Sequence, residues 1–197
     1  PRAPGPCRFG QYAPYLRQVL AEQGFGAALV VSPSSADGYD GIGEHAGELM
    51  RTAWFAIVLG DLATRFLLKT RPYEIHAGET DAAFERSIDE FGATLARPGL
   101  SSNKRVAELT QNVVRVRDRF RAIPARYVKG RPLVGVVGEI YCRLNTFSND
   151  DAVRRIEKLG GECWLSDISE WVWYTNWARE TDSARDHGRL TAEYLRL

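Results

Sequence analysis

The feature that most constrains the fold of this chain is an uninterrupted apolar run, LVGVVG, at residues 133–138, followed by a polar loop and a helix-period segment. Apolar runs of this length without alternation are typical of strands buried on both faces of a parallel sheet. A second run, AALVV at 27–31, and a shorter one, CWL at 163–165, are also flanked by helix-like segments. This order predicts an α/β fold, Rossmann-like or flavodoxin-like, with a mostly parallel sheet.

A long segment between the first two predicted strands has apolar residues at helical spacing. One helix is predicted from about residue 47 to 70, where Arg71 and Pro72 end it. Thr80 is a candidate cap for a second helix, and Ser101 or Ser102 begins a third. These helices are expected to form an inserted block that acts as a lid or as an interface. The resulting division is 1–46 (loop, helix and first strand), 47–126 (helical block) and 127–197 (strand–helix–strand–helix).

Composition excludes several function classes. The 26 basic and 25 acidic residues leave a net charge of +1, which gives no electrostatic reason to expect nucleic acid or an anionic membrane. No apolar run approaches the roughly 18–20 residues of a spanning helix, and the N-terminal PRAPGP lacks the apolar centre of a signal peptide. The three cysteines are too widely spaced for a disulfide framework or a zinc site. We therefore expect a cytoplasmic protein.

Cys7 is the first candidate for chemistry, within GPCRFGQY at residues 5–12. It stands at the entrance to the first predicted helix and beside Arg8, and both features stabilise a thiolate. A thiolate is the ligand that iron–sulfur clusters use. The alternative interpretation is a small apolar side chain in a loop.

The second candidate site is the segment GVVGEIYCRLN at 135–145, which leaves the predicted strand. Ligands of open α/β sheets gather at the carboxyl ends of strands, and Gly138 permits close approach of the backbone. Glu139, Arg143 and Asn145 offer an acceptor, a bidentate donor and an amide, and they are candidates for the wall of a substrate site. The alternative is a strand end with a structural Glu–Arg pair. The segment does not match a dinucleotide-binding fingerprint.

Other polar groups favour structural roles. The RPYEIHAGE segment at 71–79 is interpreted as a connector between helices rather than a metal site built from Glu74, His76 and Glu79. Asp61 falls on the apolar face of the first long helix and needs a partner, which is Arg65 or a group in another domain.

The aromatic segment at 169–177 favours core or interface over a substrate cage. The three histidines are far apart in sequence and give no support to triad chemistry.

Three segments resemble motifs of one family. The segment at 5–12 is similar to the cysteine motif of the 2-hydroxyglutaryl-CoA dehydratase D-component superfamily, in particular its proteins related to CoA-substrate-specific enzyme activases. RPYE at 71–74, with GE at 78–79, resembles a second motif of that group. The third resemblance comprises 134–141 with Asn145, FSN at 147–149, IE at 156–157, GG at 160–161 and SEW at 169–171.

The resemblance implies a Rossmann-like fold and a [4Fe–4S]-type or related cluster. It also implies an ATP-dependent activator protein, a second dehydratase-like subunit, or both as partners. In that family a low-potential electron reaches a 2-hydroxyacyl-CoA thioester, and the resulting ketyl radical eliminates water. Cys7 is then the implied cluster ligand, and Glu139, Arg143 and Asn145 are the implied candidates for the site wall. The chain would accordingly be part of a lyase.

The cysteines of this chain depart from the family pattern. One cysteine cannot hold a four-iron cluster, so the other ligands are expected outside this segment, which is expected to be inactive alone. Cys142 stands where an apolar residue is expected, and Cys163 falls in a predicted strand, so neither is carried over as a ligand. Two alternatives remain: a non-catalytic α/β interaction module that docks through its helical block, and a small-molecule-binding module without metal.

Overall fold

The computed structural model describes residues 11–32, 43–178 and 180–181. The chain forms two compact units, Pro1–Ala53 and Trp54–Leu197, and helix α2 (Ala46–Thr70) begins in the first unit and ends in the second. None of the helices in the described ranges is both long and apolar enough to cross a membrane.

The first unit contains helix α1 (Tyr12–Glu22). Pro14 lies in its first turn, where no intrahelical donor is lost, and Gly24 follows the helix at a φ of +83°, as the sequence predicts. The structure differs from the expectation of a strand at 27–31: residues 26–28 form a turn and bend, and 29–32 are irregular. Leu29 and Val31 are exposed. An apolar run becomes a strand only where a neighbouring strand accepts its hydrogen bonds.

In the second unit, α2 packs with α3 (Glu79–Leu95) and α4 (Ser102–Arg121). These are the three helices that the periodicity predicts. Between them they enclose one apolar core. Its buried members are Leu59, Ala63, Leu67, Ala83, Phe91, Leu109, Val116 and Phe120.

The buried face of α2 is rotated from the predicted face. The sequence favours Val58, Leu62 and Phe66, whereas Leu59, Ala63 and Leu67 lie at the centre of the core. Val58 and Leu62 instead line pockets shared with Trp173. A helix that is apolar on most of its circumference is typically covered on more than one side, so periodicity alone did not identify the central face.

The α/β part of this unit runs β1 (Leu133–Val136), α5 (Ile140–Leu144), α6 (Ala152–Lys158) and β2 (Glu162–Leu165). A further helix, α7, covers residues 168–178. Among the described residues, β1 and β2 form a two-stranded parallel sheet. Val134 lies opposite Cys163 in the register. The protein is therefore a mixed α/β fold with a small parallel sheet, and this part of the chain runs strand, two helices, strand and helix.

Candidate functional site

The loop after β1 holds the three predicted wall residues at the carboxyl end of that strand. Gly138 has a φ of +138°, a conformation that side chains rarely adopt. The Glu139 carboxylate accepts a hydrogen bond from the backbone N–H of Cys142 (2.8 Å) and so caps α5. The Asn145 amide accepts from the Ser148 N–H (2.9 Å) and donates to the Tyr141 hydroxyl (3.2 Å). These hydrogen bonds of Glu139 and Asn145 therefore shape the loop itself.

Arg143 differs from these two neighbours. The residue is 8% exposed, and its guanidinium Nε and Nη2 are buried without a hydrogen-bond partner. Its Nη1 makes only a long contact to the Gly138 carbonyl (3.5 Å). The Glu–Arg pair that the sequence left open is therefore not formed through Nε or Nη2.

The Asn149 side chain holds the backbone at Arg143 through hydrogen bonds. Its Nδ2 donates to the carbonyls of Cys142 (3.0 Å) and Arg143 (2.9 Å), and its Oδ1 accepts from the N–H of Ala152 (3.2 Å). One amide thus ties the end of α5 to the start of α6, although the N-cap position of α6 is Asp151. The bonds back to α5 had no sequence signal, because they depend on how the intervening loop folds.

The carboxyl end of β2 carries a second polar group. Asp167 is buried and forms an ion pair with Arg65, whose guanidinium lies 4.8 Å from the centre of the Trp164 ring. Burial raises the pKa of Asp167 above its ordinary value, even though Arg65 opposes the shift. A pocket of about 370 Å³ lies beside this pair and is also lined by Asp61, Glu170 and Trp173.

The partners of Asp61 are backbone groups that the sequence did not predict. Its carboxylate accepts hydrogen bonds from the backbone N–H groups of Ser169 (2.8 Å) and Ile168 (3.4 Å). It therefore caps the N-terminus of α7, where a negative charge is favourable. Arg65, the expected partner, pairs with Asp167 instead.

The RPYEIHAGE segment is a structural connector. Both carboxylate oxygens of Glu74 accept backbone N–H groups, from Gly78 (2.9 Å) and Thr80 (2.8 Å), at the start of α3. Glu74 is thereby the cap of this helix, in place of the predicted Thr80, whose side chain makes no capping bond. Arg71 forms two parallel hydrogen bonds to Glu157 in α6.

The aromatic residues of α7 line and border a groove. Trp173 meets Trp54 edge to face, with ring centres 6.5 Å apart, and both line a pocket of about 350 Å³ between α2, α4 and α7. Trp171, Tyr174 and Trp177 are exposed. The arrangement combines core and surface roles, as expected for an interface rather than an enclosed cage.

The two described cysteines lie in different environments. Cys7 lies outside the described residues. Cys142 is exposed on α5, and Cys163 is buried in β2, where its thiol contacts the Val153 carbonyl (3.6 Å) and burial raises its pKa. Within the described ranges no group of three or more His, Cys, Asp or Glu side chains could hold a metal ion. The described cysteines therefore do not make up a cluster site.

The structure thus brings Glu139, Arg143 and Asn145 together around one short helix, with Arg143 alone carrying unused donors. Sequence reasoning missed the contacts that join distant segments, such as Arg71 with Glu157 and Asp61 with Ser169, since spacing carries no signal for them. Comparison with protein-family models, with curated proteins and with solved structures finds no match to this chain.

Proposed function

We propose that this chain is part of an iron–sulfur component of a 2-hydroxyacyl-CoA dehydratase-like system, or of a related ATP-dependent reductase, that receives low-potential electrons from an activator protein. In this proposal Cys7 is one cluster ligand, and the loop after β1 contributes to the wall of an acyl-CoA site. The protein acts in the cytoplasm, where thiols stay reduced, and the finer fold class is Rossmann-like.

The observation that carries the proposal is a contact between two of the segments that resemble the family. Arg71, in the second segment, binds Glu157, in the third, through Nε–Oε2 (2.8 Å) and Nη2–Oε1 (2.9 Å) hydrogen bonds. The Tyr73 hydroxyl donates a hydrogen bond to the carboxylate of Glu162, which lies just beyond the glycine pair of the third segment. Residues that carry the resemblance thus contact one another and belong to one packed unit, which supports reading them as parts of a single pattern.

The finer fold class rests on the path of the chain between the strands. Parallel strands require a crossover connection, and α5 and α6 supply it here. Helix α7 then follows β2. The candidate wall residues lie at the carboxyl end of β1, where open α/β sheets bind ligands.

The chain's own share of the chemistry is binding and orientation. A bound cluster would supply the low-potential electron. Arg143, with two unused donors in a buried setting, would orient an anionic or carbonyl oxygen of the substrate. Cys142 and Cys163 are not suited to ligation together, because one is exposed on a helix and the other is buried in a strand. The proposal therefore places ligation on Cys7 and on further sulfurs outside this segment.

The test is the iron and acid-labile sulfide content of the anaerobically purified full-length component that supplies the remaining ligands, compared with its Cys7→Ala variant. We expect the wild type to contain iron and sulfide and the variant to lose most of both. Cys142→Ala is the matched control, since it removes an exposed thiol and should leave the iron content unchanged. Equal iron in the Cys7→Ala variant and the wild type, or a wild type without iron, would contradict the proposal.

A non-catalytic interaction module is the second candidate, and the exposed aromatic residues of α7 favour it. Trp173, Tyr174 and Trp177 are each more than half exposed, and exposed aromatic clusters are enriched at protein interfaces. Iron-free protein that still binds the activator protein, and loses this binding in a Trp177→Ala variant, would favour this candidate over the first.

A further inference from the structure

Among the described residues, Arg143 has two buried guanidinium nitrogens without a hydrogen-bond partner. Arg71 provides the comparison, because its side chain is also 8% exposed and its charge is matched by Glu157 and Asp81. Arg143 is as buried, yet its Nε and Nη2 have no acceptor. We propose that Arg143 binds a two-oxygen anionic group, a carboxylate or a phosphate, of a small ligand at the carboxyl end of β1.

The energetic reason is the cost of an unpaired buried charge. Removing an ionised group from water is expensive unless an opposite charge or several hydrogen bonds compensate for it. Within the described part of the chain, this guanidinium makes a long contact from Nη1 to the Gly138 carbonyl (3.5 Å). A neutral carbonyl at that distance compensates little of the charge. An anion at the edge of the guanidinium that carries Nε and Nη2 would therefore stabilise it.

The chemical class follows from which atoms are unused. Nε and Nη2 lie on the same edge of the guanidinium plane and form the fork that fits carboxylate and phosphate oxygens in parallel. Arg71 uses these same two atoms to bind the carboxylate of Glu157. Arg143 therefore offers the geometry that this protein already uses for one two-oxygen anion, and a single carbonyl oxygen would leave half of the fork unfilled.

The position of Arg143 suits a binding role. It lies in α5, which follows β1 after the turn at Gly138, on the side of the sheet where ligands of α/β folds bind. The Asn149 amide holds the Arg143 carbonyl (2.9 Å), so its backbone is fixed before any ligand arrives. Both unused atoms are shielded from water, and charge-assisted hydrogen bonds are strongest in such a low-dielectric setting.

This anion site deepens the proposed function, because Arg143 also belongs to the proposed wall of the substrate site, but it does not depend on the iron–sulfur cluster, since it rests on Arg143 and not on Cys7. The two can fail separately: iron content tests Cys7, whereas the experiment below needs no iron and no activity.

The experiment measures thermal unfolding of the protein in a low-salt buffer. Inorganic phosphate and succinate are titrated separately, with sodium chloride at matched ionic strength as the reference. We expect the melting temperature to rise with phosphate, with succinate or with both, but not with chloride, because a ligand that binds only the folded state stabilises it. The arm that responds identifies the anion class.

Two variants connect the response to Arg143. Arg143→Met should abolish it, and Arg143→Lys, which keeps the charge but loses the fork, should weaken the apparent affinity by about tenfold or more. In buffer without the anions, Arg143→Met should unfold at a higher temperature than the wild type, because it removes an uncompensated charge. Arg117→Met is the matched control, since Arg117 is exposed and pairs with its neighbour Asp118, and its response should equal that of the wild type.

Three results would overturn the proposal. The first is a wild type that responds to neither phosphate nor succinate beyond chloride. The second is an equal response in Arg143→Met, or a lower melting temperature of this variant without anions, which would make Arg143 a structural residue. The third is a change in particle mass by light scattering in Arg143→Met, which would assign the acceptor to another polypeptide.

Discussion

Arg71 and Glu157 lie 86 positions apart in the chain and form a two-pronged ion pair, Nε–Oε2 2.8 Å and Nη2–Oε1 2.9 Å. Both side chains are 8% exposed. The remaining edge of the guanidinium binds Asp81 (3.0 Å), which also accepts from Arg154 (2.7 Å). Burial lowers the pKa of Arg71, but the two carboxylates outweigh it and the pKa lies above its ordinary value. The network joins α6 to the connector between α2 and α3.

Replacement of Arg71 by methionine should destabilise the protein by about 3–5 kcal/mol, because it leaves the buried Glu157 carboxylate without its partner. Urea unfolding followed by tryptophan fluorescence measures the change. The double variant Arg71→Met/Glu157→Met should recover part of the loss, since no lone charge remains. Arg117→Met, at an exposed pair, should change stability by less than about 0.5 kcal/mol. A loss in Arg71→Met no larger than that of this control would contradict the role of the pair.

A side chain at Gly161 should destabilise the turn between α6 and β2. A Cβ there would lie 2.6 Å from Cγ2 of Ile156 and 3.2 Å from its carbonyl oxygen, which forces a shift of a packed side chain. We expect Gly161→Ala to cost about 1–3 kcal/mol in urea unfolding. Gly92→Ala, within α3 and with nothing within 4 Å of the new Cβ, should instead stabilise by about 0.5–1 kcal/mol. If the two substitutions changed the free energy of unfolding equally, the close contact between the new Cβ at position 161 and Ile156 would have been relieved by a local shift.

The cap that Asp61 provides should be measurable at the start of α7. Asp61→Ala removes the acceptor for the Ser169 and Ile168 N–H groups and should cost about 1 kcal/mol. Amide hydrogen exchange at residues 168–171 should accelerate. Asp61→Asn keeps an acceptor oxygen and should lose less, and Asp118→Ala, at an exposed carboxylate, should leave α7 unchanged. Unaltered exchange in Asp61→Ala would rule out the cap.

Acid should weaken the fold through Asp81. Burial acts to raise the pKa of this carboxyl, but hydrogen bonds from Arg154 and Arg71 outweigh it and hold the pKa below its ordinary value. The unfolded state therefore binds the proton first, and stability is lost as the pH falls from about 4 through the folded pKa. In urea unfolding across this range, Asp81→Asn should show a shallower decline than the wild type.

Asp167 should change stability with pH in the opposite direction to Asp81, and it serves as a control. Its pKa lies above the ordinary value because of burial, although Arg65 opposes the shift, so the folded state binds the proton first. Its protonation adds stability as the pH falls through the raised pKa towards about 4. Asp167→Asn should remove that gain. If both variants had the same pH profile as the wild type, these carboxyls would not be coupled to folding.

Local signals predicted the helices well. Pro14 and Gly24 bound α1, Pro72 follows the end of α2, and α4 begins at Ser102, because proline geometry, capping and glycine conformations act within a few residues. The predicted strand at 27–31 did not form, and the central face of α2 was misplaced. Apolarity does not say which neighbour will cover a residue: Leu29 and Val31 stay exposed, and α2 buries a different face in the core.

The candidate site was only partly predictable. Glu139, Arg143 and Asn145 were chosen for their position after a strand, and the structure places them there. It separates their roles, however, because capping bonds occupy Glu139 and Asn145 whereas Arg143 keeps two unused donors. Cys7 lies outside the described residues, so its role as a ligand stays a prediction.

The sequence by itself determined most of the helices and strands, the α/β character and the positions of most helix ends, because these depend largely on contacts between residues close in the chain. Only the tertiary structure decided that Arg71 meets Glu157, that Asp61 caps α7 and that Nε and Nη2 of Arg143 are buried without an acceptor. Such pairings depend on where distant segments pack, and the free energy that selects them is summed over the whole core. No short pattern in the chain contains that sum.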